Sequence, residues 1–359
     1  MKKGKVLVGM SGGVDSSVAA LLLQKQGYEV IGGFMKNWSD QDCDKDEDEI
    51  SKCTWRTERR DAMRVCAILG IELHTFDFEE QYRQEVYGYM LSEYEAGRTP
   101  NPDVLCNKYM KFGHFLKKAK ELGCDFVATG HYARVKHNKH MSRLFAGKDK
   151  EKAQSYFLAR LNQDELKYCL FPVGDLKKAK VRTIARKFDL PVADKKDSQG
   201  ICFVGQVALT DFLGKRLKSQ VGKIVDISGK VLGEHLGHQF FTIGQRHGLN
   251  LGGKDPYFVV ERRAGTNEVV VAHDGDLSLF RSEIEVTDII ETWPKSLHIM
   301  RGLKMKARIR YRQPLQGCRF EIVENGLKVR FKEPQRAVAP GQFIVFYNKN
   351  KVLGSGVIE

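Results

Sequence analysis

The run Gly9–Ser16, which reads G-M-S-G-G-V-D-S, separates two apolar stretches near the start of the chain. The first stretch, Val6–Val8, predicts a buried strand, and the second, Val18–Leu23, predicts a buried helix. Two adjacent glycines in the turn between them allow backbone N–H groups to approach an anion closely. Ser16 stands near the helix start, where hydroxyl and free N–H groups meet phosphate oxygens. The sequence therefore predicts a strand, a phosphate-binding turn and a helix.

The spacing of the turn residues limits which kind of phosphate loop this is. A Walker A loop is excluded because no Gly-Lys-Ser/Thr follows at the required distance, and the dinucleotide pattern G-x-G-x-x-G is absent. The segment S-G-G-V-D-S at 11–16 resembles instead the pyrophosphate loop of enzymes that split ATP into AMP and pyrophosphate. The alternative interpretation is an ordinary turn that binds nothing.

Length and charge narrow the class of protein. A chain of 359 residues is longer than one compact domain usually is, so we expect two or three domains. Its 59 Lys and Arg residues outnumber 45 Asp and Glu, which gives a net charge of +14. This excess favours nucleic acid as a partner, then a membrane surface, with an inert cationic surface as the alternative. No apolar stretch approaches the ~20 residues of a membrane span, so we expect a cytoplasmic protein without a membrane partner.

Most of the eight cysteines are expected to be packing residues. None forms a C-x-x-C pair, which argues against zinc, and no metal site is predicted. Cys66 and Cys318 fall on apolar faces, and Cys124 and Cys169 also resemble packing residues. Two more cysteines, Cys43 and Cys53, lie in the acidic segment 36–54. We interpret this segment as a solvated loop, with a mobile lid as the alternative.

Cys106 and Cys202 differ from the other cysteines in their surroundings. Cys106 lies in N-P-D-V-L-C-N at 101–107, a predicted loop leading to a helix, and two lysines follow closely. Such a position is expected to lower the pKa of a thiol. Cys202 lies in D-S-Q-G-I-C-F at 197–203, where Gly200 permits a tight turn that could expose the thiol. These two thiols are therefore the candidates for chemistry.

Strand and helix patterns alternate over the first half of the chain, which is typical of a doubly wound parallel α/β sheet covered on both faces. Ligands of such sheets bind at the carboxyl ends of the strands, which places Gly9–Ser16, Met35 and Gly130 around one crevice. A basic helix follows, with Asp175 as its predicted N-cap and Pro191 beyond its end. Further strands are predicted at residues 30–34, 73–78 and 126–129, and helices at residues 55–69 and 112–122.

Beyond about residue 207 glycines become frequent and helical patterns rare. Short alternating strands around the hairpin turn Asn325-Gly326 predict a small β-barrel at the end of the chain. The segment Lys304–Arg312 alternates strictly, which places five cations on one strand face; a phosphate-backbone contact is favoured there over a solvated face. We predict a pyrophosphate-loop catalytic domain at residues 1–206, a small central RNA-contacting domain at 207–279 and a C-terminal β-barrel at 280–359.

Further motifs accompany the pyrophosphate loop along essentially the whole chain. They are N-P-D-V-L-C-N at 101–107, T-G-H-Y at 129–132, Q-S-Y-F-L at 154–158, D-S-Q-G-I-C-F at 197–203, G-Q-R-H-G-L at 244–249, A-R-I-R-Y-R at 307–312 and A-P-G-Q at 339–342. Together with S-G-G-V-D-S they resemble the bacterial-type tRNA-specific 2-thiouridylase family. The loop alone is shared with many enzymes, whereas the two cysteine motifs together are far more specific.

The resemblance implies an ATP-dependent sulfurtransferase that acts on the wobble uridine of tRNA. ATP, with Mg²⁺ expected, adenylates the oxygen on uracil C2, and a cysteine persulfide then delivers sulfur to that carbon. AMP and pyrophosphate are released. The implied sulfur source is a cysteine desulfurase or a sulfur-relay carrier. Because a wobble base lies in a single-stranded loop, it can be splayed out without melting a duplex.

The resemblance also implies roles for individual residues. Cys202 matches the persulfide carrier, and Cys106 matches the second catalytic cysteine, which can form a disulfide with Cys202 during turnover. Asp103 matches the general acid/base, with loop capping as the alternative. Positions that match ATP contacts are Gly9, Met10, Ser11, Gly12, Gly13, Val14, Asp15, Ser16, Met35 and Gly130. Positions that match tRNA contacts are Asn101, Pro102 and Asp103 at the target base, with His131, Lys152, Ala153, Gln154, Arg310, Tyr311 and Gln342 elsewhere.

One position departs from the family, which usually has Asp where this chain has Ala153, so a carboxylate contact is not implied there. Two other functions remain open. A pyrophosphate-loop ligase or amidotransferase acting on a small carboxylate or carbonyl compound would explain the loop, but not the two cysteine motifs. A non-catalytic RNA-binding protein with a relict ATP site would leave the intact loop and both cysteines unexplained.

Overall fold

Three β-sheets organise the part of the chain that the computed structural model describes, residues 3–39, 54–197, 213–214, 216–253 and 255–359. The acidic segment, apart from its ends, and the Cys202 motif after Asp197 lie outside these ranges. The N-terminal strands are β1 (Lys5–Gly9), β2 (Glu29–Lys36), β3 (Leu73–Asp77), β4 (Phe126–Ala128), β5 (Ala133–His137), β6 (Ser142–Ala146) and β7 (Cys169–Leu170). Five of them form a parallel sheet in the order β3-β2-β1-β4-β7, which confirms the predicted fold class.

Helices cover both faces of this sheet. They are α1 (Val14–Lys25), α2 (Thr54–Leu69), α3 (Glu79–Tyr82), α4 (Gly88–Glu95), α5 (Pro102–Leu105), α6 (Phe115–Glu121), α7 (Gln163–Leu166) and α8 (Lys178–Lys187), with π-helical turns at Arg83–Tyr87 and Cys106–His114. Successive residues of β1 point to opposite faces. Val6 and Val8 pack in one core with α1, α2 and α8, whereas Leu7 packs in the other with α4 and α6.

One predicted helix begins earlier than expected, and one predicted N-cap was wrong. The helix expected at 112–122 is continuous with helical backbone that begins at Pro102, because Asn101 accepts a hydrogen bond from the Val104 N–H and so caps it earlier. A π-helical stretch also disturbs the period of 3.6 residues on which the prediction relied. Asp175 does not cap α8; it lies 3.1 Å from Lys148 Nζ, while Asp149 accepts a hydrogen bond from the Lys178 N–H at 2.9 Å.

The central region forms a separate four-stranded sheet in the order β10-β11-β8-β9. Its strands are β8 (Gly222–Asp226), β9 (Val231–His235), β10 (Tyr257–Arg263) and β11 (Glu268–His273). Ile224, Val259, Val269 and Val271 form a small core of its own.

The predicted C-terminal barrel is present and closed. It comprises β12 (Phe280–Glu291), β13 (Met305–Arg308), β14 (Gln316–Val323), β15 (Gly326–Arg336), β16 (Phe343–Asn348) and β17 (Lys351–Ile358), and pairing of β12 with β17 closes the ring. The single strand predicted over 304–312 ends at Arg308: the Ile309 N–H donates to the Gln313 side chain at 2.8 Å instead of to a neighbouring strand, and Arg312 takes a positive φ of 63°. Strand β6, which pairs with β5 in a hairpin, also pairs with β17, so the N-terminal region is joined directly to the barrel.

Candidate active site

The loop Gly9–Ser16 connects β1 to α1 at the carboxyl edge of the parallel sheet. Gly12 has a φ of +70°, and a Cβ there would lie 2.2 Å from the Glu58 carbonyl oxygen, so only glycine fits. Ser16 Oγ donates to the Gly13 carbonyl at 3.1 Å and accepts from the Ser11 N–H at 3.3 Å. No side chain of the described residues caps the start of α1, so its first N–H groups remain for an anion.

Two predicted nucleotide-contacting residues border this loop. A Cβ on Gly9 would lie 3.4 Å from Met35 Cε, which places the end of β2 beside the end of β1. A Cβ on Gly130 would lie 2.6 Å from Asp15 C and Ser16 N, so the backbone after β4 rests directly on the loop. The structure thus brings Gly9–Ser16, Met35 and Gly130 together at one edge.

A cluster of cations that the sequence did not single out as site residues surrounds the same loop. Lys178 of α8 contacts the Asp15 carboxylate at 2.7 Å and Asp197 at 2.7 Å, and Tyr132 donates its hydroxyl to Asp15 at 2.7 Å. Lys195 donates to the Gly12 carbonyl at 3.0 Å. The sequence pointed to this cluster only through the predicted basic helix and through Lys152, which was expected to contact tRNA and joins the cluster at Asp197. The contact of Lys195 with Gly12 joins residues 183 positions apart.

Asp197 lies at the centre of the cluster. It contacts Lys152 at 2.6 Å and Arg182 at 3.1 Å in addition to Lys178. Burial alone would raise the pKa of Asp197, but hydrogen bonds from Lys152 and Lys178 lower it to about 2. The carboxylate is therefore ionised at neutral pH. Asp197 lies five positions before Cys202, and its contact with Lys178 keeps this part of the chain beside the phosphate loop.

Asp197→Asn is expected to lower the free energy of unfolding by about 1–2 kcal/mol at pH 7, because three cations lose their common counter-charge. The folded-state pKa lies below the ordinary 3.8, so this stabilisation is complete above pH ~4 and is lost as pH falls towards 2. Urea unfolding at pH 7 and pH 3 measures the effect. Asp194→Asn, at an exposed ion pair with Arg186, is the matched control and should change neither value. An equal deficit at both pH values would contradict the assignment.

Cys106 is fully buried. It is the first residue of the π-helical stretch Cys106–His114 and directly follows α5. The loop predicted around it is therefore helical from Pro102 onward. Asn107, also buried, donates its side-chain amide to the Asp103 carbonyl at 2.8 Å. The two candidate catalytic residues of this segment, Asp103 and Cys106, thus stand within one turn of each other on a rigid element.

His131 connects the Cys106 helix to the end of β4. Its Nδ1 lies 2.6 Å from Thr129 Oγ1, and its ring packs 6.2 Å from both Phe112 and Phe171, centroid to centroid. Burial, followed by the charge of Lys111, holds the pKa of His131 well below its usual range, so the ring is neutral at pH 7. The phosphate loop and the Cys106 helix therefore meet at Gly130-His131.

The other described cysteines are buried away from this edge, as expected. Burial raises the pKa of Cys66 to about 11 and that of Cys318 to about 12, and it raises the pKa values of Cys124 and Cys169 as well. A raised pKa disfavours the reactive thiolate. Cys202, Cys43 and Cys53 lie outside the described residues.

Comparison of the amino-acid sequence with known proteins identifies the family of this chain. A profile described as "tRNA methyl transferase HUP domain" matches residues 4–206, one described as a tRNA methyl transferase PRC-barrel domain matches 210–273, and an aminomethyltransferase beta-barrel domain matches 283–358. A tRNA-specific 2-thiouridylase MnmA of Pseudomonas aeruginosa (strain LESB58) is 46% identical over 363 residues, covering 100% of this chain and 95% of that protein. The chain belongs to the tRNA-specific 2-thiouridylase family.

Other relatives in the 2-thiouridylase family match over similar lengths. The MnmA of Pseudomonas fluorescens (strain Pf0-1) is 45% identical, covering 99% of this chain and 95% of that protein. The MnmA of Flavobacterium johnsoniae is 44% identical, covering 99% of this chain and all of that protein. A solved 4-thiouridine synthetase–RNA complex with bound ATP aligns distantly, at 16% identity and a TM-score of 0.34 over 59% of this chain and 49% of that chain. Family membership makes the chain a sulfurtransferase enzyme.

In this 2-thiouridylase-family chain, the predicted tRNA-contacting segments from different regions lie side by side. Tyr156 donates its hydroxyl to the Phe343 carbonyl at 2.8 Å, and the rings of Phe157 and Tyr311 lie 4.5 Å apart, so the segment after Lys152 abuts the one with Arg310. Arg310 is exposed. Gln154 instead accepts a hydrogen bond from the Tyr132 N–H at 2.9 Å, and Ala153 is buried.

The side chains of the basic face predicted on the barrel are only partly exposed to solvent. Lys304, Lys306, Arg310 and Arg312 are exposed, whereas Arg308 is half-buried with its guanidinium 5.2 Å from the Tyr347 ring centroid. Within the described ranges, no helix is long and apolar enough to cross a membrane. The same residues contain no group of three or more His, Cys, Asp or Glu side chains that could hold a metal ion.

Proposed function

We propose that this enzyme replaces the C2 oxygen of the wobble uridine of tRNA with sulfur, using ATP and releasing AMP and pyrophosphate. One observation carries the proposal: a glycine-dependent anion loop and the helix of a buried cysteine meet at Gly130-His131. In this proposal, nucleotide and thiol chemistry take place at this one edge of the sheet.

The loop residues Gly9–Ser16 hold the phosphates of ATP in this proposal. The N–H groups at the start of α1 provide donors without any rearrangement of the backbone, while the hydrogen bonds of the Ser11 and Ser16 hydroxyls to each other and to the Gly13 carbonyl fix the turn. Lys178 and Lys195 neutralise the negative charge that builds up as pyrophosphate leaves. Met35 and Gly130 border the nucleotide. Mg²⁺ is expected to arrive bound to the phosphates.

The main chemical difficulty is that the uracil C2 carbonyl carbon is a poor electrophile and its oxygen a poor leaving group. Adenylation of that oxygen removes both obstacles. The uracil O2 attacks the α-phosphate, a P–O bond forms, and pyrophosphate departs. The terminal sulfur of a persulfide on Cys202 then attacks C2, and AMP leaves with the original oxygen. The base is now joined to Cys202 through an S–S bond.

A second thiol completes the transfer. Cys106, as thiolate, attacks the Sγ of Cys202; the S–S bond to the base breaks, and its electron pair stays on the sulfur of 2-thiouridine. A Cys106–Cys202 disulfide is left, which an external thiol must reduce before the persulfide can be rebuilt by the sulfur donor. In this proposal Asp103, which lies one helical turn before Cys106, exchanges the proton of the base or of the thiol.

The tRNA lies across the junction of the catalytic region and the barrel. Asn101, Pro102 and Asp103 face the target base in this proposal, and Lys152, Gln154, Arg310 and Tyr311 contact the surrounding RNA. Contacts to phosphates dominate affinity and make it depend on salt.

Arg310→Gln is expected to reduce the slope of log Kd against log salt by about 1, because one phosphate contact is lost. The matched control is Arg330→Gln, since Arg330 is also exposed but its charge is already neutralised by Glu283 at 2.6 Å. Fluorescence anisotropy with unmodified tRNA at four salt concentrations measures both. Equal slopes for wild type and Arg310→Gln would remove Arg310 from the interface.

Nucleoside mass spectrometry after incubation with unmodified tRNA transcript, ATP and inorganic sulfide tests the proposed function. The expected product is one 2-thiouridine at the wobble position for each AMP formed. AMP formation on a small carboxylate or carbonyl acceptor without tRNA thiolation would support the ligase alternative instead. RNA binding with neither product would support a non-catalytic RNA-binding protein.

A further inference from the structure

A buried arginine of the central region reaches the segment that precedes Cys106. Arg262 of β10 is only 8% exposed. Its guanidinium donates to Thr99 Oγ1 at 2.7 Å and to the Phe241 carbonyl at 2.8 Å. Thr99 stands 163 positions away, in the catalytic region, so this contact joins two domains.

The charge of Arg262 is not neutralised by a carboxylate among the described residues. The two oxygens that accept from its guanidinium are neutral, and within the described part of the chain its Nε has no hydrogen-bond partner. Burial lowers the pKa of Arg262 to about 10, so the side chain still carries its charge at neutral pH. Burying an unpaired guanidinium is costly, and a hydrophobic residue of similar volume would avoid that cost. Stability alone therefore does not account for this residue.

The barrel holds the same segment from the other side. The Thr99 N–H donates to the Pro340 carbonyl at 2.7 Å. The side-chain amide of Gln342 donates to the carbonyls of Thr99 and Pro100 at 3.1 and 3.0 Å, and accepts from the Asn101 amide at 3.3 Å. Thr99–Asn101 is thus fixed by both accessory domains.

We propose that Arg262 is a positioning residue that, through Thr99, sets the start of the helix that presents Asp103 and Cys106. The proposal rests on the function proposed above. The connection is short: Thr99 lies two residues before Asn101, and Asn101 caps the helix through the Val104 N–H. A displaced cap would tilt the helix and move both reacting side chains. A shift of about 1 Å at a reacting group can cost up to about 10²-fold in rate.

Thr99→Val is the sharpest variant, because it removes the acceptor hydroxyl with almost no change of volume. The second variant is Arg262→Met. The matched controls are Arg263→Met, at the exposed neighbour on β10, and Thr266→Val, at an exposed threonine of the central region. Single-turnover thiolation at saturating ATP and tRNA is measured for each, with equilibrium ATP binding and urea unfolding in parallel.

The expected result is at least a ~10-fold lower thiolation rate for Thr99→Val and Arg262→Met, with ATP affinity within ~2-fold of wild type. The double variant should lose no more than ~2-fold beyond the worse single variant, since both remove one contact. The controls should keep the wild-type rate. A full rate in Thr99→Val, or multiplicative losses in the double variant, would overturn the proposal.

The wild-type thiolation rate separates this proposal from the proposed function. If wild type thiolates tRNA and Thr99→Val does so equally well, the positioning role fails and the function stands. If wild type does not thiolate at all, the proposed function fails, and the positioning role, which rests on it, fails as well. In that case non-additive unfolding energies in the Thr99–Arg262 cycle would still report the physical contact.

Discussion

Cys106→Ser is expected to reduce persulfide-dependent thiolation of tRNA by at least ~10³-fold, because a hydroxyl cannot break the S–S bond between the base and Cys202. ATP binding should stay within ~2-fold of wild type. The variant should instead accumulate tRNA joined to the protein, since the first sulfur transfer can proceed and the second cannot. The variant is first loaded with persulfide by a cysteine desulfurase and cysteine, and free cysteine and desulfurase are then removed. ATP and tRNA are added without any thiol, and denaturing electrophoresis follows.

The matched control for this variant is Cys124→Ser. Cys124 is also buried, but burial raises its pKa and it lies away from the loop, so the variant should thiolate at the wild-type rate. Addition of a thiol reductant to the trapped Cys106→Ser complex should release tRNA that contains 2-thiouridine. Wild-type activity of Cys106→Ser would show that another group resolves the S–S bond.

Gly130→Ala is expected to weaken ATP binding by about 10- to 100-fold, as overpacking by one methyl group costs about 1–3 kcal/mol. The new Cβ would lie 2.6 Å from Asp15 C and Ser16 N, both backbone atoms of the anion loop, and backbone cannot rotate aside. The loop would shift, and its N–H donors would no longer point towards the same anion.

Gly252→Ala is the matched control, because no atom lies within 4 Å of its added Cβ. Isothermal titration with ATP measures the affinity, and urea unfolding separates a displaced loop from a destabilised protein. Gly130→Ala should lose affinity while most molecules remain folded. Unchanged affinity in this variant would mean that the loop does not hold the nucleotide.

The strand–loop–helix unit at the start of the chain was predictable because each part depends on nearby residues. Apolar runs set β1 and α1, and the glycine pair required a tight turn between them. The same reasoning placed Met35 and Gly130 beside the loop, since parallel strands end at one edge. The hairpin at Asn325-Gly326 was predictable for the same local reason.

The parts that failed depend on distant or competing partners. Asp149 accepts the hydrogen bond expected to go to Asp175, and the Lys148 N–H bond to the Gly174 carbonyl holds the two segments side by side. The strand predicted over 304–312 ends at Arg308, because the Ile309 N–H bonds to the Gln313 side chain and Arg312 does not have an extended backbone. The contact between Thr99 and Arg262 has no sequence signal at all, since a separation of 163 residues is set only by domain packing.

The most direct test of the proposed reaction follows the oxygen that sulfur replaces. Unmodified tRNA with ¹⁸O at the C2 oxygen of its wobble uridine is incubated with the enzyme, ATP and a persulfide donor in a single turnover. The account predicts that the heavy oxygen appears in the phosphate of AMP, in equal amount with 2-thiouridine. Heavy oxygen in water, or retained in tRNA while AMP accumulates, would contradict adenylation of the base.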